Sequence, residues 1–88
     1  MTSRQVKVVN ALGLHARAAA RFVGVAGRFR SQIRVTRGQR TMDGKSILGL
    51  LLLAAARGTE LTITAEGPDE NEAIDALVTL IGQGFGEP

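Results

Sequence analysis

The sequence has no cysteine, no tryptophan, no tyrosine and only one histidine among its 88 residues. The lack of cysteine excludes disulfides, thiol chemistry and cysteine-ligated metal sites. A single histidine also argues against a zinc site, because such sites draw several nitrogen or sulfur ligands from the protein. We therefore expect neither a metal centre nor a cofactor.

Long apolar runs are also missing. The longest mostly apolar stretch, residues 47–56, has about half the length of a membrane-spanning helix. The first residues, which include Arg4 and Lys7, alternate polar and apolar side chains and lack the apolar run of a secretory signal. We therefore expect a soluble cytoplasmic protein without membrane insertion, folded as a single domain over residues 1–88.

Charges of the two signs are segregated along the chain. All 11 lysines and arginines lie in residues 1–58 together with one acid, Asp43, and the other acids lie in residues 59–88. The net charge is +3. A basic first part suits nucleic acid, an acidic protein or a phosphorylated ligand, and charge alone does not choose among them.

Hydrophobic periodicity predicts four strands and three helices in the order βαββαβα. Alternating patterns predict strands over residues 4–9, 32–36, 39–42 and 61–66. Helical periodicity predicts helices over residues 16–27 and 47–56, and a third helix that opens at Asp69 in a capping box with Glu72. Short strands linked by a hairpin favour an α+β open-faced β-sandwich, in which helices cover one face of a four-stranded antiparallel sheet.

His15 lies between a glycine-containing turn and the predicted start of the first helix. Backbone N–H groups at a helix start lack carbonyl partners and attract anions. The N–H groups of Ala16 and Arg17, with the Arg17 guanidinium, would bind the oxygens of a phosphoryl group on the imidazole. Neutral imidazole is a nucleophile, and positive surroundings favour its neutral form. This pattern indicates a phosphoryl acceptor.

Other interpretations of His15 remain open on the residues alone. A lone histidine also serves as a helix cap or as an ordinary surface residue, and a small hydrolase would use it as a base. The nine arginines also fit a nucleic-acid-binding domain. However, three phenylalanines without tyrosine or tryptophan leave the predicted strands without an aromatic stacking platform. We expect no nucleic-acid partner.

Two motifs resemble those of the HPr family, the histidine-containing phosphocarriers of the bacterial phosphotransferase system, including its nitrogen-related paralogues. The segment Gly13-Leu14-His15-Ala16-Arg17 resembles the active-site signature, and residues 44–50 resemble the regulatory serine segment at the expected separation. Gly58 and the turn at residues 66–70 extend the resemblance from about residue 6 to residue 85.

The resemblance implies a role for each of these residues. His15 would be phosphorylated on Nδ1, with Arg17 as phosphate ligand. The donor would be phosphorylated Enzyme I, charged from phosphoenolpyruvate, and the acceptor an Enzyme IIA domain, so the protein would be a stoichiometric carrier without turnover of its own. Ala18 stands where the family usually has proline. Alanine should preserve the helix and add an N–H donor.

The second predicted helix is apolar nearly all round, so a domain of this size cannot bury every face of it. We expect Ile47, Leu48 and Leu51 to form an exposed strip near Arg17 and Arg21. An apolar centre with a basic rim suits the docking of acidic partners. Burial of these side chains in the core, or in a homodimer contact, is the alternative, and a monomer is the preferred state.

Ser46 precedes this helix and is a good N-cap residue. The resemblance implies a second role, regulatory phosphorylation by an HPr kinase/phosphorylase. A phosphate at a helix start is compatible with the fold, but it places negative charge inside the strip that partners must cover. We therefore expect phosphorylated Ser46 to inhibit transfer from Enzyme I.

Overall fold

The structure is a computed structural model that describes residues 1–87. It confirms the predicted order of strands and helices and adds a 3-10 turn at Gly84–Gly86. The elements are β1 (Thr2–Lys7), α1 (Ala16–Ala26), β2 (Gln32–Arg37), β3 (Arg40–Asp43), α2 (Ile47–Leu52), β4 (Glu60–Glu66) and α3 (Glu70–Gly82).

The four strands form one sheet in the order β1-β4-β2-β3, and every neighbouring pair is antiparallel. Inward-facing side chains of β2 and β4, such as Val35 and Ile63, lie opposite each other and are buried. Their neighbours Thr36 and Thr62 point to the other face and stay half-buried. One face of the sheet is therefore apolar and the other polar, as the alternation predicts.

The helices cover the apolar face and complete the core. The largest buried side chains from the helices include Phe22 of α1, Leu50 of α2, and Ile74 and Leu77 of α3. Ala18, on the first turn of α1, is also fully buried. The helix therefore forms with alanine at this position, and the open-faced β-sandwich is confirmed.

Helix α2 is shorter than predicted. It ends at Leu52, and Ala54 adopts φ +50°, whereas the sequence pattern predicts helix as far as Ala56. The carbonyl of Ala55 accepts a hydrogen bond from the Leu14 N–H at 2.9 Å, so its partner lies in the turn before α1 and not in a longer α2. Tertiary contacts have overridden the helix propensity of a leucine and alanine run.

Arginines of the β2-β3 hairpin bind the end of α2. Arg37 Nη1 donates to the Leu53 carbonyl at 2.9 Å, and Arg40 Nη1 donates to the Leu52 carbonyl at 3.0 Å. Cations suit the negative end of the helix dipole, where the last carbonyls lack intrahelical partners. These bonds explain how the helix stops inside a run of good helix formers.

The predicted capping box at Asp69 is wrong. Asp69 precedes α3 but makes no side-chain hydrogen bond to its first turn. Its carboxylate instead accepts from the N–H groups of Arg30 and Ser31, at 2.8 and 2.9 Å, and from the Ser31 hydroxyl. Glu70, the first residue of α3, bonds to the turn before the helix instead: its Oε1 accepts from the Gly67 N–H at 3.2 Å.

The first strand also differs from its predicted bounds of residues 4–9. It begins at Thr2 and ends at Lys7, because its partner β4 begins at Glu60, opposite Lys7. Val9 lies beyond the sheet and is exposed. Among residues 1–87, none of the helices combines the length and the apolar character that crossing a membrane requires.

Candidate active site

A tight turn sets His15 at the beginning of α1. Asn10 closes this turn, because its carbonyl accepts from the Gly13 N–H at 3.1 Å and its Nδ2 donates to the Gly13 carbonyl at 2.7 Å. Gly13 has φ +67°, and a Cβ there would lie 2.6 Å from the Ala55 carbonyl oxygen. The position therefore requires glycine.

His15 is the N-cap residue of α1. Its backbone is extended, with φ −79° and ψ 179°, and its carbonyl accepts the first helical hydrogen bond from the Ala19 N–H at 2.8 Å. Its Nδ1 accepts from the Arg17 N–H at 3.3 Å. The ring is about one quarter exposed. Nδ1 therefore presents its lone pair towards the positive end of the helix.

Ala16 and Arg17 occupy the first turn of α1 and are exposed. The N–H groups of a first helical turn have no carbonyl partner within the helix. The Arg17 guanidinium makes no hydrogen bond or ion pair with residues 1–87. The first-turn N–H groups and the Arg17 guanidinium thus lie in the same turn as Nδ1.

The sequence analysis missed two residues of the site, Asn10 and Glu87. The other ring nitrogen of His15, Nε2, contacts Glu87 Oε2, and Glu87 Oε1 accepts from Asn10 Nδ2 at 2.8 Å. The surroundings of the imidazole, predicted to be positive, therefore also include a negative group. Glu87 is 72 residues away along the chain, and no local pattern signals this contact.

Hydrogen bonding favours the ionised form of Glu87. The bond from Asn10 is the main cause that lowers the pKa of the Glu87 carboxyl. Burial opposes the shift, whereas the contact with His15 and the charge of Arg21 add to it. At neutral pH the group beside Nε2 is therefore a carboxylate, which accepts hydrogen bonds and donates none.

The chain matches a known family over most of its length. The family model described as "PTS HPr component phosphorylation site" matches residues 2–83. The chain belongs to the HPr family of phosphocarriers. It is 51% identical over 88 residues to phosphocarrier protein HPr of Pseudomonas aeruginosa, an alignment that covers 99% of this chain and 98% of that protein. Its partners are proteins of the phosphotransferase system.

Solved HPr structures have the same fold. HPr-C-His from Thermoanaerobacter tengcongensis superposes with a TM-score of 0.96 and 44% identity, covering 100% of this chain and 99% of that one. An HPr dimer from the same organism superposes with a TM-score of 0.79 and 45% identity, covering 99% and 100% of the two chains. The fold predicted from the sequence is thus found in solved members of the HPr family.

In this HPr-family protein, the apolar residues of α2 are exposed as a strip. Ile47, Leu48 and Leu51 are 41, 67 and 36% exposed, and Leu52 is 53% exposed. We call these four residues the α2 strip. Leu12, in the turn before His15, is also exposed and was not anticipated. Since α1 packs against α2, the strip and the His15 turn belong to neighbouring parts of the surface.

Arg21 and Ser46 each have a contact within the fold. The Arg21 guanidinium, placed by the sequence analysis on the basic rim, donates to the Phe85 carbonyl. Ser46 is the N-cap of α2, and its Oγ accepts from the Gly49 N–H at 3.0 Å. Its side chain is half-buried. No group of three or more potential metal ligands comes together within residues 1–87.

Proposed function

We propose that this phosphocarrier holds its phosphoryl group on Nδ1 of His15, taking it from phosphorylated Enzyme I and passing it to an Enzyme IIA domain. One observation carries the proposal. Nδ1 accepts from the Arg17 N–H at the start of α1, so the nucleophilic lone pair and the anion-binding groups lie in one turn. The HPr family supplies the class of reaction.

In the forward step, the Nδ1 lone pair attacks phosphorus while the bond between phosphorus and the donor breaks. The proton on Nε2 stays on the ring throughout, so the ring carries positive charge as the N–P bond forms. Nδ1 then has no lone pair to offer, and the Arg17 N–H loses its acceptor. A phosphoryl oxygen would replace Nδ1 as that acceptor, which keeps the helix start capped.

The phosphoryl oxygens would be stabilised by charge and by position. The N–H groups of Ala16 and Arg17 point away from the helix, and the helix dipole favours negative charge there. The Arg17 guanidinium offers a planar fork that fits two phosphate oxygens. Phosphoryl transfer depends mainly on such positioning and charge stabilisation, so the same groups serve acceptance and release.

We assign partner docking to the α2 strip together with the basic residues of α1. Exposed Leu48 and its neighbours supply apolar area, and Arg17 and Arg21 supply positive charge. An acidic partner surface would be steered by the charges and held by apolar contact. Enzyme I and Enzyme IIA domains would use the same surface in turn, since both must reach His15.

Ser46 would act as a regulatory site for an HPr kinase/phosphorylase. Its Oγ caps α2 directly beside Ile47, the first residue of the strip. A phosphate there would keep a favourable interaction with the helix dipole but would set a double negative charge against an acidic partner. We expect it to slow transfer from Enzyme I without unfolding α2.

The state and place of action complete the proposal. We infer a cytoplasmic monomer in which residues 1–88 act as one domain. A solved HPr from Thermoanaerobacter tengcongensis is a dimer, so the alternative to a monomer is a dimer. Light scattering after size exclusion should give a mass near 9.3 kDa. A mass twice as large would contradict the monomer.

The decisive experiment incubates the wild type and a His15→Ala variant with phosphoenolpyruvate and Enzyme I. Intact mass should show one acid-labile phosphoryl group on the wild type and none on the variant. An Enzyme IIA domain added afterwards should remove it. Failure of the wild type to gain the group, with an Enzyme I that phosphorylates another HPr in the same mixture, would contradict the proposed function.

A further inference from the structure

The residues after α3 return to the start of α1 and cover one side of His15. The turn at Gly84–Gly86 buries the ring of Phe85, and Arg21 of α1 donates a hydrogen bond to the Phe85 carbonyl. The buried ring and the bonded carbonyl fix the path of this segment two residues before Glu87. These contacts of Phe85 therefore hold the backbone near Glu87 in place beside His15.

Glu87 joins two residues of the site through its two carboxylate oxygens. Oε1 accepts from Asn10 Nδ2 at 2.8 Å, and Oε2 contacts Nε2 of His15. Its side chain is only 13% exposed. Asn10 is buried and uses the same Nδ2 to hold the Gly13 carbonyl at 2.7 Å. The turn that carries His15 and the carboxylate beside its ring are thus tied to one amide group.

The two contacts of the imidazole select the same tautomer. The Arg17 N–H donates to Nδ1, which requires a lone pair on Nδ1. An ionised carboxylate at Nε2 can only accept, which requires the proton on Nε2. Attack on phosphorus by Nδ1 needs this form of the ring. The other tautomer would have its proton on the attacking atom.

We infer that Glu87 is a positioning residue for phosphoryl transfer, holding the proton of His15 on Nε2 and fixing the ring so that Nδ1 is the nucleophile. This inference rests on the proposed function, since it names the residue that prepares the same nitrogen for the reaction. The carboxylate acts through the imidazole and does not contact the phosphoryl group.

The carboxylate also matches the charge that the reaction creates. When the Nδ1 lone pair forms the N–P bond, the ring keeps its Nε2 proton and becomes a phosphoimidazolium. Its positive charge lies beside the Glu87 carboxylate. On release, the N–P electron pair returns to Nδ1 and the phosphoryl group leaves for the acceptor. The proton stays on Nε2 in both directions, so Glu87 keeps one hydrogen bond through the cycle.

Other charged groups around the ring have different positions. Arg17 and Arg21 are the cations of α1 nearest to the ring in sequence, and the Arg21 guanidinium donates to the Phe85 carbonyl. Arg57 lines an open groove of about 360 Å³ together with Asn10 and Glu87. Among residues 1–87, Glu87 is the acid that contacts the imidazole, so removing its charge tests the inference without disturbing the basic side of the site.

The test compares the wild type with Glu87→Gln, which keeps the shape of the side chain but has one acceptor oxygen for two donors. Glu72→Gln is the matched control, because Glu72 is exposed on α3 away from the ring contact. Nitrogen-15 spectra of the ring at a pH where it is neutral report which nitrogen carries the proton. The chain has one histidine, so the ring signals are unambiguous.

We expect the wild type and Glu72→Gln to show a protonated Nε2 and an unprotonated Nδ1. Glu87→Gln should show a larger fraction of rings with the proton on Nδ1, because only the 3.3 Å bond from the Arg17 N–H then favours the Nε2-protonated form. The rate of phosphoryl acceptance from Enzyme I should fall about tenfold or more in Glu87→Gln, the effect of a lost hydrogen bond to a charged group. The KM of Enzyme I for this carrier should not change, because Glu87 contacts the His15 ring and not Enzyme I.

Unchanged tautomers in Glu87→Gln, or an unchanged rate despite mixed tautomers, would overturn the inference. Amide spectra of each variant show whether it is folded, and Asn10→Ser is the second variant, since it removes the amide that holds Glu87. Ring spectra need no phosphorylation. The ring spectra and the transfer assay therefore test different claims. If Glu87→Gln changes the tautomer but the wild type accepts no phosphoryl group, the proposed function is wrong, and Glu87 then has no role in phosphoryl transfer.

Discussion

The N–H of Leu14 donates a hydrogen bond to the carbonyl of Ala55 at 2.9 Å, which joins the turn before His15 to the segment after α2. This bond links the two motifs that the sequence places about 30 residues apart. It brings the turn that carries His15 against the segment that follows α2 and helps to set where that helix stops. Both effects lead to measurable consequences.

Gly13→Ala should destabilise the protein by more than about 2 kcal/mol, because φ +67° is unfavourable for alanine and the new Cβ would meet the Ala55 oxygen. Displacing this turn should also reduce phosphoryl acceptance. Gly24→Ala is the control, since Gly24 is at an exposed position of α1 where a Cβ meets nothing within 4 Å. It should stabilise the protein by about 0.5–1 kcal/mol, because alanine favours a helix more than glycine does. Urea unfolding compares the two. Equal stabilities would contradict the close approach.

Ala54→Gly should stabilise the protein by about 0.5–1 kcal/mol. Ala54 is exposed at φ +50°, where a Cβ is strained and glycine is not. Ala20→Gly, on the exposed side of α1, should instead destabilise by about 1 kcal/mol because its backbone is helical. Thermal and urea unfolding of the pair provide the measurement. Destabilisation in both would show that residue 54 lies in the right-handed region.

Acid should weaken the fold through Asp69 and Glu70. The Ser31 hydroxyl and the Arg30 N–H lower the pKa of Asp69 to about 2, and the Thr2 hydroxyl with the N-terminal ammonium lowers the pKa of Glu70 to about 2. Both values lie below those of an unfolded chain. Stability from these groups is therefore complete above about pH 5 and is lost as the pH falls towards about 2.

Asp69→Asn should be less stable than the wild type at pH 7 and should lose less stability on acidification, so that the two curves approach each other near pH 2. Asp75→Asn is the control. Asp75 is 70% exposed and its ion pair with Arg4 is open to solvent, so we expect little change at any pH. Denaturant unfolding across the pH range checks this. A curve for Asp69→Asn parallel to that of the wild type would exclude the mechanism.

Arg17→Gln should slow phosphoryl acceptance on the order of 10-fold to 100-fold, the range expected when a hydrogen bond to a charged group is lost. Stability should hardly change, since the guanidinium is exposed. Arg28→Gln, beyond the end of α1, removes the same charge elsewhere and should leave the rate of phosphoryl acceptance unaffected. Single-turnover transfer from Enzyme I distinguishes them. A similar loss in both variants would point to long-range charge alone.

Ser46→Asp should raise the KM of Enzyme I for this carrier, because it adds a negative charge beside the α2 strip. Stability should change little, because aspartate is also a good N-cap. Ser46→Asn is the matched neutral control and should behave as the wild type does. Steady-state transfer at increasing ionic strength should reduce the difference between the two, since salt screens the repulsion. A salt-independent difference would indicate a steric cause.

The elements themselves follow from local patterns in the sequence. Alternation in β2 and β4, and the apolar stripe with Phe22 in α1, predict both the type of element and its buried face, because these signals come from neighbours in the chain. The His15 turn and Arg17 are also predictable, since the residues that form a helix start are consecutive. The cap at Ser46 follows for the same reason.

Only the tertiary structure decided where α2 ends, what Asp69 binds and which group lies on Nε2 of His15. Leu and Ala favour a longer helix, but hydrogen bonds from Leu14 and Arg37 to the carbonyls after Leu52 outweigh that preference. Glu87 reaches His15 across 72 residues of sequence. Local propensity is worth a few tenths of a kcal/mol per residue, so contacts between distant segments settle each of these features.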